Sequence, residues 1–484
     1  MTNDTNHEGN FIGGAWRPAA GGATRPNVNP ADVTDVIGHF AESDASDAEA
    51  AVSAAAEAAA GWRDLGPVRR GEILRRAWEL LGERKETLAS AITREQGKLL
   101  REARSEVDRS RSILDFTAGE GRRLNGVTTP AEEPRTFAYT FRAPIGVVGL
   151  ITPWNFPLAI PLWKVAPALL AGCTAVLKPS PFTPLTSALL VEAFADANVP
   201  PGVLNLVQGD RAPGEQLVLD RRVAGISFTG SLAVGTAIQT AGADRLLRTQ
   251  LELGGKNALV VLEDADLDAA TRAVLFGSFG QAGQRFSATS RLVVDERVHD
   301  ALVDRVVDAV APLKVGPGVD PVSDIGPVVN EQRMDACVEA VDIATGSGAR
   351  AVIGGKRAVG DLPDGYYMSP SVLVDVTPDM TIAQEEIFGP VLSVLRVRGF
   401  DEAMDAANGV RYGMAAAIFT RDPSRAFEAL NRLEAGMLHV NRPGVGSYSH
   451  MPHGGAKASA YGPPEISPQV WDFYTDWRSA CITY

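Results

Sequence analysis

Four loops of this chain carry side chains able to do chemistry; three follow a short apolar run and the fourth precedes one. In Thr152-Pro-Trp-Asn-Phe-Pro157 a proline on either side of Asn155 fixes the backbone, so the side-chain amide is held in one place. A fixed amide donor can stabilise an oxyanion, although the segment also reads as a turn that contains an asparagine. Leu177-Lys178-Pro179-Ser180-Pro181 places a lysine either at a ligand crevice or in solvent. Phe228-Thr-Gly-Ser-Leu-Ala-Val-Gly235 reads as a strand, a Gly-Ser turn and a helix start. Its free amides and positive helix end suit a phosphate, though it is not GxGxxG. Glu252-Leu-Gly-Gly-Lys256 offers a general base brought close to a substrate by compact backbone, or equally a loop carboxylate paired with Lys256.

These loops need elements to position them. Ser46-Asp47-Ala48-Glu49 predicts a capping box opening a helix to about Gly61. Ile73, Ala77, Leu80 and Leu81 stripe a second helix, and a third spans about Arg101 to Phe116. Phe137, Tyr139 and Phe141 alternate with Thr136, Ala138 and Thr140, a two-sided strand expected to offer an edge to another subunit. Apolar runs at 146–151, 174–177, 203–207, 226–228 and 257–262 alternate with helices and predict a parallel, doubly wound sheet. A second series at 291–294, 351–353, 391–397, 415–419 and 437–440 predicts a second α/β domain. The aromatic tail (Trp471, Phe473, Tyr474, Trp477, Tyr484) is expected to pack on another domain or on a partner subunit.

Bulk composition narrows the function. A length of 484 residues favours two or three domains. A net charge of −13 argues against a nucleic-acid surface, which needs clustered Lys and Arg. Three cysteines without CxxC spacing fit a reducing cytosol, and six histidines without an HxxxH pair argue against a metal site. No apolar stretch is long enough to span a membrane, and the N-terminus lacks a basic region followed by an apolar run. A cytoplasmic protein is expected.

In order and spacing the four loops resemble the aldehyde dehydrogenase superfamily, in particular its NAD(P)-dependent enzymes of semialdehydes. The resemblance runs from about Phe11 to the C-terminus. It includes GQRFSATSR (283–291) for GQxCxAxxR, EEIFGPV (385–391) and MPHGGAKAS (451–459). It implies an α/β fold with two doubly wound domains and a small β oligomerisation ribbon. The implied segments are 1–124 with 146–253 for NAD(P), 254–443 for catalysis, and 125–145 with 465–484 for assembly into a homodimer or homotetramer. By the same resemblance Asn155 is the oxyanion amide, Lys164 a proton-relay lysine and Glu252 the general base. Lys178, Ser180 and Pro181 fall at the adenosine ribose, and Gly230, Ser231 and Gly235 at the diphosphate turn. Trp154 lies beside the cofactor, and Glu386 with Phe388 at the nicotinamide ribose.

Three positions depart from the family pattern. Phe286 stands where the nucleophilic cysteine belongs, and a phenyl ring has no lone pair to attack a carbonyl. Ser287, Cys173 and Cys337 are the other conceivable nucleophiles. Pro181 replaces a glutamate that many members use on the ribose 2′-hydroxyl, which admits NADP as readily as NAD. His453 stands where a phenylalanine is frequent. Three readings are compatible with this set. The first is a fold that binds NAD(P) and an aldehyde-like ligand but has lost thiol chemistry; the second is a non-covalent hydride transfer; the third is a non-catalytic scaffold.

Overall fold

The structure, a computed structural model, describes residues 5–484. Its first helix packs mainly on one face of a mixed sheet and the next three on the other. Helix Ala45–Asp64 is capped by Asp44, whose carboxylate accepts from Ser46 N at 2.7 Å, while Asp47 reaches back to Asp44 N at 3.3 Å. The capping box therefore lies two residues before the predicted one. Asp47 is buried and also accepts from Ala20 N at 3.0 Å, which commits it to the first turn. Helix Pro67–Glu83 buries Leu74, Ala77, Leu80 and Leu81 and leaves Ile73 half-buried. Helix Lys85–Gln96, which the apolar pattern does not single out, precedes helix Leu100–Gly119.

The first sheet orders its strands in space as Ala15–Arg17, Asn10–Ile12, Leu204–Leu206, Thr174–Lys178, Val147–Ile151, Val223–Thr229, Arg248–Glu252 and Ala460–Tyr461. The five strands from Leu204–Leu206 to Arg248–Glu252 are parallel, and antiparallel strands close both edges. From Val147–Ile151 the chain moves to one side and then returns to add Val223–Thr229 on the other. Between these two strands lies a topological switch point, where the carboxyl ends of parallel strands leave a crevice. The loops of Asn155 and Gly230 both open there.

The second sheet runs Arg350–Ile353, Ser371–Val374, Val391–Val397, Thr289–Asp295, Asn257–Val261, Ala415–Phe419 and Met437–Val440, all parallel except the first. The run at 257–262, which the sequence pattern grouped with the first sheet, pairs here with Thr289–Asp295 and Ala415–Phe419. An apolar run buried on both faces does not reveal which sheet receives it.

Strand Thr136–Pro144 lies inside a ribbon of three, between Thr475–Thr483 and Thr128–Thr129. The C-terminal strand pairs along its whole length, from Thr475↔Pro144 to Thr483↔Thr136. The free edge expected at Thr136–Pro144 is therefore taken by the chain's own C-terminus. What remains exposed is a face, with Phe137, Tyr139 and Phe141 stacked in a row at centroid spacings of 5.3 and 5.9 Å. Trp471, Phe473 and Tyr474 enter the core under the first sheet, whereas Trp477 and Tyr484 remain exposed.

Candidate active site

Phe286 sits in a loop shaped by backbone strain. Helix Leu267–Phe279 ends, and Gln281, Ala282 and Gly283 follow with φ of +54°, +53° and +68°. Two of these are not glycine, and a left-handed conformation costs such residues roughly 1–2 kcal/mol each. The turn is held from outside: Gln281 N donates to Glu102 Oε1 at 2.8 Å. Asn257 Nδ2 donates to the carbonyls of Phe286 and Ala288 at 2.8 and 2.9 Å. The Phe286 ring is buried among Ile113, Ile160, Met414, Ala415, Met437 and Ile466. Its ring neighbours are His453 at 5.4 Å edge-on, Trp163 at 6.3 Å and Phe156 at 6.4 Å. The phenyl ring thus closes the end of this turn with apolar packing. Cys173 and Cys337 lie in other clusters, and burial pushes both thiols up to about 11. Neither thiol lies in the cluster around Phe286.

Asn155 meets Phe286 from the first sheet. Its Nδ2 donates to Gln284 O at 3.1 Å, and its Oδ1 is buried without a partner in the protein. A buried ion pair that the loop's sequence does not reveal grips the segment. Lys98 Nζ bonds Glu106 at 2.6 Å and donates to Asn155 O at 2.7 Å, and Glu106 Oε1 accepts from Leu158 N at 2.9 Å and Ala159 N at 3.1 Å. The fixed position that the prolines predict for Asn155 is therefore reinforced from helix Leu100–Gly119.

Lys164, one residue after Trp163, is fully buried. It forms an ion pair with Glu465 and donates to Ser227 Oγ at 2.9 Å, and Ser227 in turn donates to Gln250 Oε1 at 2.8 Å. Glu252 ends the neighbouring strand with its Oε2 unpartnered. Burial first, and then the nearby Glu465 carboxylate, hold its pKa well above the usual carboxylate range against the pull of Lys164. The protonated form of Glu252 is correspondingly favoured. It does not pair with Lys256, whose charged neighbours are Arg291, Glu386 and Glu385. Glu465, which the sequence motifs do not mark, is linked to His453 by a two-way backbone bridge at 2.9 and 2.7 Å. Burial, then Arg109 and Lys164, drive the His453 imidazole down to about 3, so it stays neutral.

The remaining residues gather in two places. Lys178 ends its strand buried rather than solvated, and burial pulls its pKa down to about 8 against the attraction of Asp210 and Glu42. Beside it, Ser180 and Pro181 line a small cleft with Arg25, Glu42 and Gly209. Ser231 caps helix Leu232–Gly242, accepting from Val234 N at 3.4 Å, and Gly230 N donates to Glu252 O at 3.0 Å. A Cβ at Gly235 would come within 2.5 Å of Leu253, so the helix start lies close against the Glu252 loop. Across the crevice, Glu386 Oε1 accepts from Gly255 N at 2.9 Å, and burial raises this carboxyl to about 7. Phe388, at φ +59°, meets Trp154 edge-on at 5.4 Å. No group of three or more His, Cys, Asp or Glu among the described residues could hold a metal ion, and no helix is long and apolar enough to cross a membrane.

Residues 16–480 match the model described as the aldehyde dehydrogenase family. An α-ketoglutaric semialdehyde dehydrogenase of Bacillus subtilis is 39% identical over 98% of this chain and 97% of its own length. A 2,5-dioxopentanoate dehydrogenase of Saccharolobus solfataricus is 40% identical over 93% of this chain and 94% of its own. Among solved structures, an NADP-dependent enzyme of E. coli superposes with a TM-score of 0.96 at 36% identity, covering 100% of both chains. A betaine aldehyde dehydrogenase of Staphylococcus aureus in complex with NAD+ gives 0.96 at 32% identity, over 98% of this chain and 95% of its own.

Proposed function

This chain belongs to the aldehyde dehydrogenase family, and we propose that it binds NAD or NADP together with a small semialdehyde, while Phe286 prevents the thiol-dependent oxidation of aldehyde to acid. The observation that carries this reading is the buried Phe286 ring, with Asn155 bonded to its loop and the His453–Glu465 bridge linking it to Lys164 and Glu252. The semialdehyde class follows from the names of the relatives.

The residues present fit the cofactor. Helix Leu232–Gly242 starts at the switch point behind a Gly-Ser turn, with amide donors and the positive end of its dipole available to a diphosphate. Lys178 offers a buried ammonium to the adenosine ribose, with Ser180 and Pro181 beside it, and lacking a carboxylate at 181 the cleft tolerates a 2′-phosphate. Trp154, Glu386 and Phe388 would flank the nicotinamide end. When bound, the nicotinamide supplies hydride transfer. Residues 1–124 with 146–253 form the cofactor-binding part, 254–443 the catalytic part, and 125–145 with 465–484 the oligomerising part. The exposed, stacked aromatic face of the ribbon, which a homodimer or homotetramer would bury, supports the last assignment, and the three free cysteines suit the cytoplasm.

One observation favours a second reading, hydride transfer without a covalent intermediate. Burial and the Glu465 carboxylate favour the protonated form of Glu252 beside the Lys164–Glu465 pair, so it can give a proton to a carbonyl oxygen as hydride reaches the carbon.

The test compares the chain as written with Phe286→Cys on a panel of aldehydes, after titrating both with NAD and NADP by tryptophan fluorescence. The cysteine form is expected to oxidise at least one aldehyde faster by a factor on the order of 10³, the scale on which covalent enzymes depend on their nucleophile. Equal rates would sink the assignment of position 286. Measurable carbonyl reduction by the chain as written selects the second reading, and binding of neither dinucleotide leaves only a scaffold.

A further inference from the structure

Arg109 lies on helix Leu100–Gly119, one turn before Ile113, which packs in the cluster around Phe286. Its Nη1 donates to Ser449 Oγ at 3.1 Å and its Nη2 to Ser447 Oγ at 3.2 Å, and Ser449 is bonded in turn to Ser112 Oγ at 2.9 Å. Among the described residues no carboxylate lies within ion-pairing distance of it. Its neighbour Arg104, by contrast, bonds Glu86 at 2.7 Å. The guanidinium also bears on the mouth of the site, being one of the two cations that disfavour protonation of His453, whose ring touches both Phe286 and Trp163.

A part-buried guanidinium without a counter-ion is costly to keep. Hydroxyls satisfy only two of its five N–H donors, and they fix the plane of the fork without neutralising it. The chemistry that matches a planar cation with donors to spare is a carboxylate, taken up by two parallel hydrogen bonds. We infer that Arg109, oriented by Ser447 and Ser449, is the receptor for the carboxylate of an acid-bearing aldehyde whose carbonyl reaches towards position 286. This inference rests on the proposed function, from which the carbonyl end of the ligand is taken. It adds the residue that would separate a semialdehyde from a neutral aldehyde of the same length.

The test uses Phe286→Cys with and without Arg109→Met, assayed on a five-carbon aldehyde ending in a carboxylate and on its uncharged counterpart. The ratio of kcat/KM for the acid-bearing over the neutral aldehyde is expected to fall by on the order of 10- to 100-fold in the Arg109 variant, mainly through KM. Arg109→Lys should restore part of it. An equal loss on both aldehydes would assign Arg109 a merely structural role and overturn the inference. If Phe286→Cys oxidises neither aldehyde, the proposed function falls, and Arg109 is judged by calorimetric titration of the same pair with glutarate. Weaker glutarate binding in the Arg109→Met form upholds a carboxylate receptor, and unchanged binding refutes it.

Discussion

Asn155 gives a side-chain hydrogen to the carbonyl of Gln284, 3.1 Å away, so the amide proposed to meet a developing oxyanion is tied to the loop that carries Phe286. An amide nitrogen has two hydrogens, and the second is free to serve the substrate. In the Phe286→Cys background, Asn155→Ala is therefore expected to lower kcat by about 10²- to 10³-fold with little change in KM. Steady-state kinetics decides it: a change confined to KM would show that Asn155 binds the ground state and not the oxyanion.

Activity restored at position 286 should come with lost stability. The phenyl ring packs on His453, Trp163 and Phe156, and a thiol leaves most of that volume empty. Phe286→Cys is expected to be less stable by about 2 to 4 kcal/mol in urea unfolding. An unchanged midpoint would mean that the pocket prefers the smaller side chain.

Much of the site is local and was legible for that reason. Asn155, Lys178 and Gly230 each follow an apolar run and the Glu252 loop precedes one, and strand ends in a parallel sheet are where ligands bind. Partners that arrive from distant segments left no mark in the sequence. Glu465 reaches Lys164 from the far end of the chain, and Lys98, held by Glu106 of helix Leu100–Gly119, grips Asn155. The left-handed turn at Gln281 and Ala282 was hidden because neither residue is a glycine. Sheet membership of 257–262 depends on pairing, which periodicity does not encode.

Lys256 gives the chain a pH dependence of its own. Its ammonium nitrogen is buried without a partner, and burial, then Arg291, pull its pKa down to about 7, below the value it regains on unfolding. Between the folded and unfolded values the unfolded chain holds more protons, so this group makes stability rise with pH. Below pH 7 the lysine is charged in both states and its burial costs most. Lys256→Met should therefore be more stable than the parent by on the order of a few kcal/mol below pH 7. The advantage should shrink as pH rises towards about 10.4. Melting curves across this range test it, and an advantage that grows with pH would contradict the assignment.

The aromatic row on the ribbon predicts assembly. Phe137 and Phe141 are exposed in a stack with Tyr139, a larger apolar face than a lone protomer keeps in water. Phe137→Glu with Phe141→Glu is expected to shift the protein to a smaller species in light scattering, with cofactor binding retained. If the parent is already monomeric, the ribbon has another role.

The pairing of Thr475–Thr483 with Thr136–Pro144, and the burial of Trp471, Phe473 and Tyr474 beneath the first sheet, also set the order of events during synthesis. The ribbon that begins at Thr128 is finished only when residues 475–483 have left the ribosome. Until then strand Thr136–Pro144 carries an unpaired nine-residue edge beside its stacked rings, the kind of surface from which nascent chains aggregate. Translation that stops ten codons early would leave every catalytic loop intact and yet release a chain with an open edge.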